Sequence, residues 1–405
     1  MTLLTGATII LMQPMIPFEK AYEIVMGSVV RTGTEKIPFT ESPDRILAED
    51  VTSDIDMPPF DKASMDGFAC RRLEIHNELE IIETIPAGKK PGKKLGRNQC
   101  ARIMTGAAIP EGADCVIIVE ETEILPSERL RFIGTYSKDN IACKGEDVKK
   151  GDLLLGAWRQ IKPQDVAIMA SAGKTTVSVS RMPAVAVISS GNEIVEPQYF
   201  PGESQIRNSN SWQLLAQITR AGAMGRYYGI ARDDEDATFQ LVSRAIEEND
   251  LVIITGGVSM GDFDFVPGVL ENAGVRLLFT RVAVQPGKPT TFGIHENAAV
   301  FGLPGNPVSS FMMFEMFIRP FISAMMNYNW RPSCPQYPLK DDFTRKYAER
   351  MALIPVRITE DGFVQPVEYH GSAHITALSG ADGIITVPLG VTNLVKGTLL
   401  TFRPI

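Results

Sequence analysis

Apolar positions along the chain change their period several times. Residues 17–31 (PFEKAYEIVMGSVVR) space them as one amphipathic helix with Pro17 near its start. Residues 37–52 read as a short extended stretch. From 52 to about 146, short β-branched runs (EIIETIPAG, ARIMTGAAIP, DCVIIVEET, RLRFIG) alternate with Gly, Pro and Asn turns, the pattern of a compact β domain. Its basic stretch KKPGKKLGR (89–97) reads as a solvated hairpin turn. Residues 147–180 carry a short strand, GDLLLGAW, and then a helix, PQDVAIMASAG, closed by Gly173.

From 183 the alternation lengthens. PAVAVISSGNEI is a buried strand ending in a Gly turn, and SNSWQLLAQITRAGA is a helix capped by Ser209 or Ser211. RYYGIARD (strand), DEDATFQLVSRAIEEN (helix), DLVIITGGVSMGD (strand into a Gly turn), VPGVLENAG (helix) and VRLLFTRVAV (strand) follow. PTTFGI and AVFGLPG are two more strands before the helix NPVSSFMMFEMFIRPFISAMM. Strands alternating with helices of this size predict a parallel, doubly wound sheet. After the Pro-rich linker NYNWRPSCPQYP, residues 337–405 return to short β runs, predicting a small barrel.

Composition narrows the possibilities. At roughly 150 residues per domain, a chain of 405 residues accommodates two to four domains. Charged residues at 22% and hydrophobic residues at 44% exclude a wholly disordered chain. The net charge of −8 gives no electrostatic case for nucleic-acid or membrane partners, although a local basic pocket stays open. Cys70, Cys100, Cys115, Cys143 and Cys334 are scattered, without a C-x-x-C spacing, and read as reduced thiols of a cytoplasmic protein. His370 and His374 stand at i, i+4 but lack a third ligand nearby. The stretch MTLLTGATIILMQPM lacks the positive n-region of a signal peptide and reads as an ordered extension, a frayed tail or an upstream start.

Four groups of residues carry candidate chemistry. Three Gly-rich turns follow strands directly: Ser189-Ser190-Gly191-Asn192-Glu193, Thr255-Gly256-Gly257-Val258-Ser259 and Leu303-Pro304-Gly305-Asn306-Pro307-Val308-Ser309. Such turns let backbone N–H groups approach an anion, and open parallel sheets bind ligands beyond the carboxyl ends of their strands. Each alone is equally a plain strand-to-helix turn; the three together predict a phosphorylated ligand. None is a Walker A motif or a G-x-G-x-x-G motif. Glu193, Asp233, Asp262 and Asp264 lie in or beside these turns, and hard carboxylates next to phosphate suit Mg²⁺. Asp233 or Asp234 equally suits a helix N-cap. Val284-Gln285-Pro286-Gly287-Lys288-Pro289-Thr290-Thr291 offers one cation on a rigid turn, which suits a tetrahedral oxyanion or else an exposed hairpin. Pro58-Pro59-Phe60-Asp61-Lys62-Ala63-Ser64-Met65-Asp66-Gly67-Phe68-Ala69 crowds small and acidic residues into one turn.

PPFDKASMDGFA, RIMTGAAIPEGAD, KGEDVKKGD, ISSGNEI, ITGGVSMGDFD, QPGKPTTFG and FGLPGNPVSS occur in that order. Together they resemble the MoeA family, the molybdopterin molybdenumtransferases, to which the E domain of gephyrin is related. The resemblance runs from about residue 16 to the end. It implies a multidomain α/β plus β fold: residues 15–52 and 147–180 as the N-terminal helix and extended connecting domain, with helix 17–31 packing on the α/β domain; 53–146 as the β domain with the S-M-D-G turn; 181–329 as a MogA-like doubly wound, molybdopterin-binding α/β domain; and 330–405 as a C-terminal β-barrel. It implies a homodimer whose site lies between the α/β domain of one subunit and the β domain of the other, with a molybdopterin adenylyltransferase and molybdoenzyme-maturation proteins as possible partners. The implied reaction is Mg²⁺-dependent insertion of molybdate into adenylylated molybdopterin with release of AMP, the last step of molybdenum cofactor synthesis.

Matched motif by motif, the resemblance assigns catalytic roles to Asp66, Thr105, Asp147, Glu193, Asp233 and Asp264, the last three also as Mg²⁺ ligands. Substrate binding falls on Ser190, Gly256, Gly257, Ser259, Lys288, Pro289, Pro304, Gly305, Asn306, Pro307 and Ser309, and in the barrel on Arg350 and Ser372. Three departures stand out. Gln285 replaces the first lysine of a K-P-G-K-P turn, Ala142 with Cys143 replaces an arginine before G-E-D, and Pro355 replaces a second barrel arginine, with Arg357 nearby. Other readings are a non-catalytic molybdopterin-binding scaffold, an adenylyltransferase of the same α/β superfamily, or an insertion enzyme preferring tungstate, which matches molybdate in shape and charge.

Overall fold

A computed structural model describes residues 15–232, 234–257 and 266–405. The chain forms two compact units: Lys36–Pro43 with Leu47–Val177, and the N-terminal helix with Asp44–Ile46 and Ser178–Ile405.

The first unit is built on a six-stranded sheet in the order Cys115–Ile118, Gly67–Cys70, Gln99–Ile103, Leu79–Ile85, Arg129–Phe132, Thr122–Ile124. Its four longest apolar runs are those the β-branched pattern picks out. Alternate residues face two small cores, one holding Phe68, Ile117 and Leu130 and the other Ala69, Ile103 and Val116. The helix Pro163–Ser171 also belongs to this unit. The basic stretch is a clamped loop: the two Glu83 carboxylate oxygens accept from the N–H groups of Gly92 and Lys93, each at 3.1 Å.

The second unit contains a six-stranded α/β sheet in the order Met224–Ala231, Ala184–Ser190, Leu251–Thr255, Ala299–Leu303, Thr291–Ile294, Arg276–Phe279. The first four strands are parallel; Thr291–Ile294 runs antiparallel to both its neighbours, so the sheet is mixed at one edge. The strand Ala184–Ser190 is buried along its whole length, as expected for a strand covered on both faces. Val185 and Val187 face one core, with Leu214 and Phe317; Ala186 and Ile188 face the other, with Val242 and Leu270. The N-terminal helix, Phe18–Gly27, buries Ala21 and Val25 in the first of these cores, and the Phe18 ring lies 4.9 Å from that of Phe317. Full burial of one such side chain contributes about 1.5–3 kcal/mol.

Three local expectations are corrected. The helix read over NPVSSFMMFEMFIRPFISAMM is α-helical at Pro307–Met313 and Arg319–Met325 but widens to a π-turn at Phe314–Ile318. Pro320 has no N–H to give and would crowd the carbonyl four residues back, and a widened turn relieves both problems. VRLLFTRVAV is not one strand. Arg276–Phe279 stays in the α/β sheet, whereas Val284–Gln285 pairs with Met351 and Ala352. At the start of Asn210–Arg220 it is the Asn208 side chain, not Ser209 or Ser211, that accepts from the Ser211 N–H, at 3.2 Å. Asp234 is the cap of Glu235–Glu248, accepting from the Ala237 N–H at 2.7 Å.

The C-terminal strands close on themselves. Met351–Ile358 pairs with Gly383–Val387, then Leu399–Pro404, then Gln336–Pro338; Leu339 bridges to Val364, and Val364–Pro366 pairs back with Met351–Ile358. Leu339, Val356, Val364, Ile385 and Phe402 fill this barrel. Among the described residues one helix, Pro307–Met325, is long and apolar enough to cross a membrane, and 83% of it is buried within the protein.

Candidate active site

In the first unit the structure brings Asp66 and Thr105 together. Asp66 sits at the exposed turn that opens the strand Gly67–Cys70, and Thr105 follows the strand Gln99–Ile103, which pairs with it. Asp66 Oδ1 accepts from the Thr105 backbone N–H at 2.6 Å and from its hydroxyl at 2.8 Å. The backbone donor first, and the hydroxyl after it, hold this carboxyl below the usual aspartate range. Asp147 is anchored by its backbone: its N–H donates to Met57 O at 3.1 Å, and the residue is exposed. Its carboxylate makes no hydrogen bond to Asp66 or Thr105. Ala142, where an arginine was expected, lies in the short strand Ile141–Ala142; Cys143 beside it is exposed, and its N–H donates to Glu146 at 2.7 Å.

In the second unit, a cavity of about 570 Å³ opens where the sheet order reverses. From the strand Ala184–Ser190 the chain goes out to Met224–Ala231 on one side and returns to Leu251–Thr255 on the other, so the carboxyl ends of the two middle strands have no crossover above them. Ser189, Ser190, Thr255, Gly256 and Gly257 form the floor. Gly256 (φ +93°) and Gly257 (φ +64°) take left-handed backbone, and a Cβ on Gly256 would stand 2.4 Å from Ser190 O.

Asn210 ties the turns together. Its amide donates to Thr255 Oγ1 at 2.9 Å and to Gly305 O at 2.8 Å, while the Thr255 hydroxyl donates to Pro304 O at 3.2 Å. Asn208 accepts from the Ser189 hydroxyl at 2.9 Å. Ser190 Oγ is buried and has no hydrogen-bond partner among the described residues, an unmet polar group at the cavity floor. Pro289 and the barrel residues Ala373 and Ile375 complete the rim, and Asn306 Nδ2 donates to Ser372 Oγ at 2.8 Å. Such a site offers backbone dipoles and neutral polar groups to an anion with an apolar body.

Of the residues singled out from sequence, Ser190, Glu193, Gly256, Gly257, Pro289, Pro304, Gly305, Asn306 and Pro307 line this cavity. Ser372 joins it through Asn306. Ser309 is buried in the first turn of the helix and is not on the wall. Lys288 is exposed next to Pro289; its carbonyl accepts from Val282 N at 3.0 Å. Arg350 immediately precedes Met351, whose N–H donates to Ala283 O at 2.9 Å, which sets Arg350 beside the start of the Q-P-G-K turn. Gln285 is exposed on that turn, and Pro355 lies mid-strand opposite Ile384. Asp233, Ser259, Asp262 and Asp264 lie outside the described residues. Among the described residues no three His, Cys, Asp or Glu side chains cluster as a metal site.

Sequence reasoning missed Asn208, Asn210 and Arg207. The signal available was Arg-Asn-Ser-Asn directly before a helix that follows a Gly-rich turn, where polar side chains meet a helix N-terminus.

Comparison with known proteins covers almost the whole chain. The family model for the MoeA N-terminal region (domain I and II) matches residues 16–173. One for a probable molybdopterin binding domain matches 186–324, and the MoeA C-terminal region (domain IV) matches 336–405. A molybdopterin molybdenumtransferase of Bacillus subtilis is 35% identical over 396 residues, covering 94% of this chain and 92% of that protein. One of Staphylococcus epidermidis is 33% identical over 397 residues, covering 95% and 94%. Two crystal structures of molybdopterin biosynthesis MoeA proteins from Pyrococcus horikoshii superpose with TM-scores of 0.84 and 0.83 at 32% and 28% identity, covering 96% and 97% of this chain and 99% and 100% of theirs. The chain is a member of the MoeA family.

Proposed function

We infer that this protein is a molybdopterin molybdenumtransferase. It takes adenylylated molybdopterin and molybdate as substrates, cleaves the adenylate, and releases molybdenum cofactor and AMP. The observation that carries this reading is the cavity at the switch point of the α/β sheet, floored by Gly256, Gly257 and the Ser190 hydroxyl, which has no partner among the described residues, in a chain of this family. Cleavage of a phosphoanhydride depends on positioning and charge neutralisation more than on covalent chemistry by the protein. The three Gly-rich turns hold the phosphorylated pterin by its phosphates and exclude water from one face.

Mg²⁺ accepts one or two carboxylates and completes its shell with water and phosphate oxygens. The exposed Glu193 carboxylate on the cavity wall fits one such ligand, and Asp233 and Asp264 are the proposed others. When bound, the ion neutralises charge developing on the phosphates. Asp66, kept ionised by Thr105, accepts a hydrogen bond from water or from the dithiolene end of the substrate, and Asp147 serves the same end. Lys288, Arg350, Ser309 and Ser372 bind the molybdate dianion, with Gln285 contributing a neutral amide. The protein acts as a cytoplasmic homodimer, which light scattering of the purified chain tests.

The reading is tested by AMP release from adenylylated molybdopterin with Mg²⁺, with and without molybdate or tungstate, for the wild type and Asp66→Asn. Release that requires molybdate and is lost in the variant is the expected result. No release at any oxyanion concentration refutes it, and release with tungstate alone reassigns the metal.

A further inference from the structure

Arg207 is the one cationic side chain among the described residues lining the cavity, and Glu193 is the one acid. Glu193 immediately precedes the short strand Ile194–Val195 and Arg207 ends its neighbour, Ile206–Arg207, with Ile206 N donating to Glu193 O at 2.8 Å. Even so, they form no ion pair with each other, and among the described residues Arg207 pairs with no other carboxylate. What Arg207 does contact fixes its direction and leaves its end open. Its Nε donates to Tyr199 O at 3.2 Å, and its guanidinium carbon stands 6.0 Å from the centre of the Phe200 ring. Among the described residues Nη1 and Nη2 donate to nothing.

That arrangement has two energetic oddities. Phe200 is 90% exposed, so its ring has little reason to stay beside Arg207 except that contact. Ser190 Oγ, which lines the same cavity, is buried and has no hydrogen-bond partner among the described residues. A planar guanidinium fork and a buried hydroxyl are both donors that phosphate oxygens accept from.

We propose that Arg207, steered by Phe200 and the Tyr199 carbonyl, is the side chain that recognises a phosphate group of the substrate in this cavity, with Ser190 Oγ as its neutral counterpart. The proposal rests on the cavity being the substrate site. Arg207 supplies the full positive charge that the Gly-rich turns, offering only backbone dipoles, lack. Phe200 acts on it indirectly, as a positioning residue.

The test is equilibrium binding of AMP and of adenosine to the full chain, for the wild type, Arg207→Gln, Arg207→Lys and Phe200→Ala. Loss of a charge-assisted bidentate contact weakens AMP about tenfold to a hundredfold in Arg207→Gln. Adenosine affinity stays unchanged, Arg207→Lys recovers part of the loss, and Phe200→Ala falls between. With adenylylated molybdopterin, Arg207→Gln raises KM more than it lowers kcat. Because Arg207 is exposed, the melting temperature stays with the wild type. Equal affinity of Arg207→Gln and wild type for AMP, parallel losses for AMP and adenosine, or no AMP binding by the wild type at millimolar concentration would each overturn the proposal. If wild type binds AMP through Arg207 but never releases it from the adenylylated substrate, the transferase reading fails alone.

Discussion

Gly256→Ala is the sharpest perturbation the structure offers, because the same cavity holds a matched control. An alanine Cβ at 256 would lie 2.4 Å from Ser190 O, and reaching ordinary contact at 3.4 Å requires the turn and the strand end to part by about 1 Å. The residue must also keep φ near +93°, where an L side chain costs roughly 1–2 kcal/mol. With an overpacking cost of about 1–3 kcal/mol, the variant should lose about 2–5 kcal/mol. In a unit of this size that lowers the melting temperature by about 4–20 °C. A 1 Å displacement at the cavity floor should also cost roughly a hundredfold in kcat/KM for AMP release. Gly305→Ala is the control: its Cβ would meet Gly256 Cα at 3.6 Å, an ordinary contact, and no left-handed backbone is required. Its melting temperature should stay within about 2 °C of wild type. The assay is differential scanning calorimetry on both variants, with AMP release alongside. If both alanines melt like wild type, or if Gly305→Ala is as damaging as Gly256→Ala, the steric account of the floor is wrong.

Other perturbations probe the scaffold. Glu315 is fully buried and accepts from Arg220 at 2.6 Å, Arg319 at 2.9 Å and Gln217 at 2.7 Å; Glu315→Ala strands two arginines and should cost about 3–5 kcal/mol in urea unfolding, whereas a loss below about 1 kcal/mol would show the cluster to be slack. Burial pushes the Asp250 carboxyl up, but the bidentate Arg181 bonds at 2.7 and 3.0 Å and the Ala184 N–H outweigh it and leave the group below its usual value. Its contribution, about 1 kcal/mol after solvent screening, is therefore present above roughly pH 4 and lost as pH falls through the lower, folded-state value. Asp250→Asn should unfold at lower urea than wild type at pH 7, with the gap narrowing as pH falls below about 4; a gap that does not change with pH would mean the pair is not the source. Asn210→Ala removes the donors to Thr255 and Gly305, and about a tenfold loss of substrate affinity with little change in fold by circular dichroism is expected; unchanged affinity would show that the turns hold their places without it.

Much of the architecture was legible because local patterns and tertiary environment agree. The unbroken apolar run at Ala184–Ser190 reads as a strand covered on both faces, and it is. The failures came where a distant partner decides. Nothing within VRLLFTRVAV says that Val284–Gln285 leaves its sheet to pair with Met351 and Ala352, since that register belongs to residues far along the chain. The π-turn before Pro320 depends on a balance between one lost hydrogen bond and a carbonyl clash that periodicity does not report. In the cavity, Gly-rich turns announced themselves through glycine's backbone freedom, so Gly256, Gly257 and Gly305 were found. Asn210 escaped because a helix-opening asparagine serves equally as a cap, and Arg207 because an exposed arginine is ordinary until it proves to line a cavity without an ion-pair partner among the described residues.

The placement of the N-terminal helix has a consequence for the order of events during synthesis. Phe18, Ala21 and Val25 pack into a core shared with Phe317, so roughly 290 residues must be translated between the helix and its seat. At about 5–20 residues per second that is roughly 15–60 s. Over this interval a ten-residue segment, too short to hold a helix alone, waits with its apolar face unburied while the inserted unit folds ahead of it. This early-made helix is thus among the last elements to find its place. A nascent chain stalled before Phe317 would carry a finished β unit preceded by a sticky, unhoused helix, a natural handle for a chaperone.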